Sequence, residues 1–402
     1  MTAVTLQGGG VVTCPVSRLK AGLTLVSPVL WVSISLLLLL LPVGSCDAGD
    51  APCPAEETAL LLSPLIASGK IHLAQEKSRV RCLPGADLES YSGFISVDKP
   101  ECGSNLFFWF FPAQERPKDA PLLLWLNGGP GRSSMYGAMF ENGPYELTNT
   151  VSLTVVRRNV TWVKYFSMLY VDNPVGAGYS HTLNNCYSTT LNESTANLYS
   201  EHCQSYAGKY VPTLGYYIHH RMDSDDKPRM RLKGIYIGSG YCDPLKMQPE
   251  MPEMLYSVGI YSDFDRRQHL KRIADGWSKP NRNPFYPEDG LFWDIMIYYD
   301  TMGHPTENTY NFYDYRLDGD VLHYTGNMDI IVNVRMTEAY LMATPWSGQA
   351  DYNNSQRHPW WYNGRLAGFY TKVHNFTRVI IRNAGHDAPH DQPEWTLAMM
   401  QR

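Results

Sequence analysis

Short apolar runs, separated by glycine-rich turns and by helical patterns, set the rhythm of this chain. Tyr91–Val97 alternates in polarity and Leu106–Phe111 is almost wholly apolar; Asp98-Lys99-Pro100 and Gly103 between them predict a hairpin. Buried strands are predicted at Pro121–Leu126, Phe166–Val171, Gly234–Gly238, Val321–Tyr324 and Arg378–Arg382. Helical patterns fall at Glu56–Ser68, Glu193–His202, Tyr206–Ile218 and Arg266–Trp277. Apolar strands alternating with helices predict an α/β fold, with a mostly parallel central sheet and helices on both faces. Residues 243–319 interrupt this rhythm. They are rich in Met, Tyr, Asp and Pro, and read as a small cap insertion between two sheet strands. Residues 47–86 read as a loose lead-in, and Trp360-Trp361-Tyr362 as an excursion before the last strand.

The first 46 residues stand apart. Arg18 and Lys20 precede an apolar run from about Leu23 to Val43, and Gly44, Ser45 and Cys46 follow. A basic stretch, an apolar core and a small-residue zone make a secretory leader. The run approaches spanning length, so an uncleaved signal anchor is the alternative, but Pro28 interrupts it. The main domain then covers 47–402. Secretory entry changes how the cysteines read. Six of the eight lie beyond the leader, at Cys53, Cys82, Cys102, Cys186, Cys203 and Cys242; none has zinc-site spacing, so disulfides of unassigned pairing are expected. Sequons at Asn159, Asn192, Asn353 and Asn375 suit a glycosylated chain that is secreted or lysosomal. Charged residues at 18% and aromatics at 12% argue for a globular protein, and a net charge of −5 gives no reason to expect nucleic acid.

In open α/β sheets, ligands bind beyond the carboxyl ends of the strands. Gly128-Gly129, Asp329 and His386 all follow predicted strand ends. Each has a bland reading, as a turn glycine, a loop cap and an isolated histidine. The fourth member of the set is Ser205, within Cys-Gln-Ser-Tyr-Ala-Gly-Lys-Tyr-Val-Pro over 203–212. A nucleophile elbow leaves a strand, turns sharply at the serine and enters a helix. A serine at a helix start is more often a simple cap, and the residue two before it is Cys203 where the motif has glycine. It is the joint placement on one rim that favours catalysis.

With these residues in hand, the chain resembles the serine carboxypeptidases, and within them the vitellogenic-like branch. The resemblance rests on collinear motifs: Ser104–Pro112, Trp125–Gly131 (WLNGGPG), Glu141–Tyr145, Ser167–Gly178, Ser205–Pro212 (SYAGKYVP), Gly238–Pro244, Gly326–Val332 and Gly385–Pro393. It implies an α/β-hydrolase fold, peptide substrates with a free C-terminus, and no cofactor or metal. It further implies Ser205 as nucleophile, His386 as acid–base and Asp329 as its orienting carboxylate, in the α/β-hydrolase order. The backbone N–H groups of Gly129 and Tyr206 would form the oxyanion hole. Asn127, Glu141 and Gln204 would recognise the substrate carboxylate, with Trp125 packing nearby. The family usually has glutamate before the serine, so Gln204 would donate there without first being protonated.

The resemblance weakens just before Ser205. Tyr199-Ser200-Glu201-His202-Cys203-Gln204 is polar and carries no buried-strand pattern, so residues 195–204 are not expected to form a regular central strand. Relative to the family, the chain is shortened here and between about Tyr315 and Asp320. Three functions compete: an active carboxypeptidase, a catalytically impaired secreted relative, and an esterase or acyltransferase on the same scaffold. The triad with Asn127 and Glu141 favours the first over the third, whereas the absent strand and Cys203 favour the second.

Overall fold

The structure is a computed structural model. It describes residues 59–81, 83–97, 103–129, 131–149, 154–183, 202–208, 210–221, 232–277 and 320–402. The leader, Asn192 and the second half of the expected cap lie outside the described residues, as do Cys53, Cys82, Cys102 and Cys186. Among the described residues, no helix is long and apolar enough to cross a membrane, and no cluster of His, Cys, Asp or Glu could hold a metal ion.

The strands are β1 (Tyr91–Ser96), β2 (Asn105–Phe111), β3 (Leu122–Leu126), β4 (Tyr145–Asn149), β5 (Thr154–Arg157), β6 (Ser167–Val171), β7 (His202–Gln204), β8 (Gly234–Gly238), β9 (Asp320–Gly326), β10 (His358–Tyr362), β11 (Arg365–Val373) and β12 (Phe376–Ile381). Ten of them make one sheet in the order β1-β2-β6-β3-β7-β8-β9-β12-β11-β10, with β4 and β5 forming a separate hairpin. From β6 to β12 the sheet is parallel, and both flanks are antiparallel. The α/β reading therefore holds.

Alternation along β3 shows why the sheet is covered on both faces. Leu124 and Leu126 belong to one apolar cluster, and Leu123 and Trp125 to the other. The first cluster includes Val211, Leu214 and Ile218 from the helix Tyr210–Arg221. It also takes Met336, Tyr340 and Leu341 from the helix Val334–Ala343. The second takes Trp395, Met399 and Met400 from the helix Pro393–Met400. Apolar runs buried on both faces are what a central parallel sheet requires.

Three expectations need correction. Residues 202–204 do form a strand, β7, which pairs in parallel with β3 on one side and β8 on the other. Trp125 lies opposite His202, and Leu126 opposite Cys203. The polar sequence hid it because three residues are too few to show a period, and pairing from two long neighbours overrides local propensity. Second, His202, the last residue of the helical pattern Glu193–His202, opens β7 instead; the rest of that pattern lies outside the described residues. Third, Trp360-Trp361-Tyr362 is no excursion: it lies in β10, which forms one edge of the sheet and pairs with β11. Trp360 is buried and Trp361 is exposed, an in–out alternation that a half-covered edge strand needs. Between β8 and β9, the described part of the expected insertion forms the helices Pro244–Met247, Glu250–Ser257 and Asp263–Trp277.

Candidate active site

Ser205 follows β7 directly and sits at φ 62°. That left-handed backbone conformation is unfavourable for a residue with a Cβ, and it is the sharp turn an elbow needs. Its carbonyl oxygen accepts from the Tyr241 N–H at 2.8 Å, which ties the elbow to the loop after β8. The chain then enters a 3-10 turn, Ser205–Gly208, and after it the helix Tyr210–Arg221. Gly208 has no room for a side chain, since a Cβ there would stand 2.7 Å from the Tyr241 nitrogen. Small residues after the serine thus let the elbow close onto β8.

Asp329 and His386 follow β9 and β12, on the same carboxyl rim as Ser205. Asp329 is 1% exposed. Its Oδ1 accepts from the N–H groups of Ile331 at 2.8 Å and Val332 at 3.0 Å, and its Oδ2 lies 2.9 Å from His386 Nδ1. The carboxylate can only accept, so Nδ1 carries the donated proton, and in that tautomer Nε2 is the acceptor nitrogen of the ring. Burial pushes the Asp329 carboxyl up, but the charge of His386, its hydrogen bond and the two backbone donors outweigh this and hold it below the usual carboxylate range. Burial works against the His386 imidazolium, yet the charge and hydrogen bond of Asp329 prevail, and His386 is held above its ordinary value.

The loop after β3 carries the other expected residues. Trp125 Nε1 donates to Asn127 Oδ1 at 2.7 Å, and the Gly137 N–H donates to the same oxygen at 3.1 Å. With its oxygen saturated, the Asn127 amide is fixed in orientation, and Nδ2 donates to Glu141 Oε1 at 3.0 Å. Glu141 ends a short π-helical turn, Gly137–Glu141, and is fully buried. Its Oε2 has no hydrogen-bond partner among the described residues. Burial, with a smaller contribution from the charge of Asp387, pushes its carboxyl up to about 8. Gly129 stands at φ 120°, and a Cβ there would meet the Arg132 nitrogen at 2.8 Å, so only glycine suits this turn. Tyr206 is buried at the start of the elbow turn. Gln204 closes β7; its backbone lies beside Gly238 of β8, and its side chain, like that of Cys203, is outside the described residues. Asn159, Asn353 and Asn375 are all exposed.

Sequence reasoning overlooked a further group. Tyr136 Oη donates to Asp387 Oδ2 at 2.9 Å, and the Arg132 guanidinium lies 3.4 Å from the Tyr136 ring centroid. Arg132 Nη1 is 3.9 Å from Asp387 Oδ1. The available signals were the adjacency of Asp387 to His386 and a lone arginine in the otherwise uncharged loop 127–140.

The family model described as serine carboxypeptidase matches residues 83–201, 202–317 and 294–402. One break in that match falls between 201 and 202, immediately before β7, where the sequence suggests lost residues. The probable serine carboxypeptidase CPVL of Mus musculus is 35% identical over 443 residues, covering 90% of this chain and 91% of that protein. Those 443 positions exceed the chain's 402 residues, so the relative carries segments that this chain lacks. The venom serine carboxypeptidase of Apis mellifera is 31% identical, over 87% of this chain and 92% of its own length. Among solved structures, the Kex1(delta)p prohormone-processing carboxypeptidase of Saccharomyces cerevisiae shares the fold at a TM-score of 0.64 and 18% identity, covering 81% of this chain and 95% of that one. Sequence and fold agree, and this chain belongs to the serine carboxypeptidase family.

Proposed function

We propose that this serine carboxypeptidase releases single C-terminal residues from peptides with a free carboxylate, through an acyl-enzyme at Ser205. The observation that carries the reading is the buried Asp329–His386 hydrogen bond on the same sheet rim as a strained Ser205. Ser205 Oγ attacks the last peptide carbonyl while His386 Nε2 takes its proton, and the oxyanion develops toward the Gly129 and Tyr206 N–H groups. The C–N bond then breaks, and His386 returns the proton to the departing amine. A water deprotonated by the same nitrogen opens the acyl ester and restores Ser205.

Asn127, Glu141 and Gln204 recognise the terminal carboxylate, with Trp125 fixing the Asn127 amide. A carboxyl held up to about 8 remains protonated at neutral pH, and its unpartnered Oε2 can then donate to a carboxylate. Gln204 offers an N–H at any pH. The exposed sequons at Asn159, Asn353 and Asn375, like the leader pattern, support a glycosylated chain of the secretory pathway, secreted or lysosomal. Pairing of β7 on both sides supports the active reading over the impaired one, although Cys203 still stands two residues before the serine.

Mass spectrometry of digests should show ladders losing one C-terminal residue at a time, while C-terminally amidated copies persist. Equal cleavage of both copies would sink the exopeptidase reading. Gln204→Glu should move the kcat/KM optimum toward acid, because glutamate donates only when protonated and then repels the substrate carboxylate when ionised. Identical profiles would remove Gln204 from the carboxylate site.

A further inference from the structure

Asp387 lies beside His386 in sequence, yet its side chain is held by the opposite wall of the site. Tyr136 donates to one carboxylate oxygen at 2.9 Å and Arg132 approaches the other at 3.9 Å. Both come from the loop between Asn127 and Glu141. Arg132 is in turn stacked on the Tyr136 ring, so the three side chains form one unit. This unit joins the loop carrying the proton-relaying histidine to the loop carrying the carboxylate-binding residues. It also sets one negative and one positive charge near two ionisable groups that must be in opposite protonation states for turnover.

We propose that Asp387, clamped by Tyr136 and Arg132, is a positioning residue that couples the two loops and sets, by its charge, the pH window of the site. The proposal rests on the reading of His386 as the base and Glu141 as a protonated donor. Asp329, Asp387 and Arg132 all act on His386. Those facing Glu141 include Asp387, Asn127, Arg132, Arg158, Tyr170 and Tyr136 itself. Asp387 favours the protonated form of both His386 and Glu141, and Arg132 opposes it at both. The two members of the clamp therefore pull the same two titrations in opposite directions.

Asp387→Asn keeps an oxygen for Tyr136 and removes only the charge. Without that charge, His386 loses its proton at lower pH, so the acid limb of kcat/KM moves down. Glu141 likewise ionises at lower pH, so the alkaline limb follows. Arg132→Gln should move both limbs up. The direct reading is the His386 titration in each intact chain, followed by NMR with labelled histidine and assigned by loss of the signal in His386→Ala. Its midpoint should fall in Asp387→Asn and rise in Arg132→Gln, with thermal melts confirming that both variants fold. Midpoints that stay in place, or that move in the same direction in both variants, overturn the proposal. Glu141→Gln separates this from the function reading. If it retains the alkaline limb, the assignment of that limb to Glu141 fails, while the histidine titrations still decide the role of Asp387.

Discussion

The two halves of the site are built on opposite terms. Asp329 and His386 follow β9 and β12, which pair at six successive positions from Phe376↔Val321 to Ile381↔Gly326. Both oxygens of Asp329 are satisfied, and the carboxylate is buried. Ser205 follows β7, which pairs at two positions with β3 and three with β8, and the serine itself sits in a strained conformation. Long paired strands and filled hydrogen bonds make the proposed acid–base half a stable platform. The proposed nucleophile half is held in its turn by its neighbours: β3, β8 and the Tyr241 N–H. Strain at a reactive residue persists only where surrounding structure over-determines it. Stability is therefore expected to reside in one half and reactivity in the other.

The largest effect should separate those two properties. Ser205→Ala should reduce kcat by about 10⁴-fold or more, since the nucleophile and its base act as a unit. Its melting temperature should stay near that of the parent chain, since the bond from the Tyr241 N–H to the Ser205 carbonyl survives the substitution. Asp329→Ala should lose activity as well and also be destabilised. Truncation strands the Ile331 and Val332 N–H groups, at about 1–3 kcal/mol for each buried donor left unsatisfied. Equal melting temperatures for the two variants would break the contrast.

The next effect sharpens it. The nucleophile half adjoins a second unfavourable group, Glu141, on the loop after β3, the strand that flanks β7. Its carboxyl is held up to about 8 against an ordinary value of 4.5. Between those values the folded chain holds a proton that the unfolded chain has released, so stability falls as pH rises through this window. At pH 7 the interval from 4.5 is 2.5 units, which at about 1.4 kcal/mol each costs about 3 kcal/mol. Glu141→Gln keeps the acceptor for Asn127 and carries no charge. Its advantage in denaturant midpoint over the parent should be small at pH 4.5 and grow toward pH 8. A constant difference across that range would mean that Glu141 is not buried as a neutral acid.

The same contrast explains what could be read from residues alone. Long apolar strands announce themselves, so β2, β3, β6, β8 and β12 were legible, and with them the loops that carry Asn127 and His386. Asp329 was legible because a glycine-bearing motif follows β9. β7 was not, because His202-Cys203-Gln204 owes its extended form to two neighbours distant in sequence. β10 was misread for a related reason: its two tryptophans face opposite environments, and only pairing with β11 gives them an alternation. The Tyr136–Asp387 bond spans 251 positions and has no local signature at all. Local pattern reports what a segment would do alone; elements imposed by non-local pairing are invisible to it.

The smallest effect tests the strain itself. If Ser205 is held at φ 62° by its surroundings, a residue without a Cβ should tolerate the turn better. Ser205→Gly relieves the steric conflict, whereas Ser205→Ala keeps it and removes only the hydroxyl. Glycine also loses more backbone freedom on folding, about 0.5–1 kcal/mol relative to alanine, which works against the gain. A left-handed non-glycine residue costs about 1–3 kcal/mol, so the net should still favour glycine by about 1 kcal/mol. Both variants are inactive as nucleophiles, so the difference reports the backbone alone. Chemical denaturation of the pair at one pH should place the Ser205→Gly midpoint above that of Ser205→Ala with an unchanged slope. A glycine variant that is the less stable of the two would show that the turn at Ser205 is relaxed, and the distinction between a strained nucleophile and a satisfied acid–base pair would lose its basis.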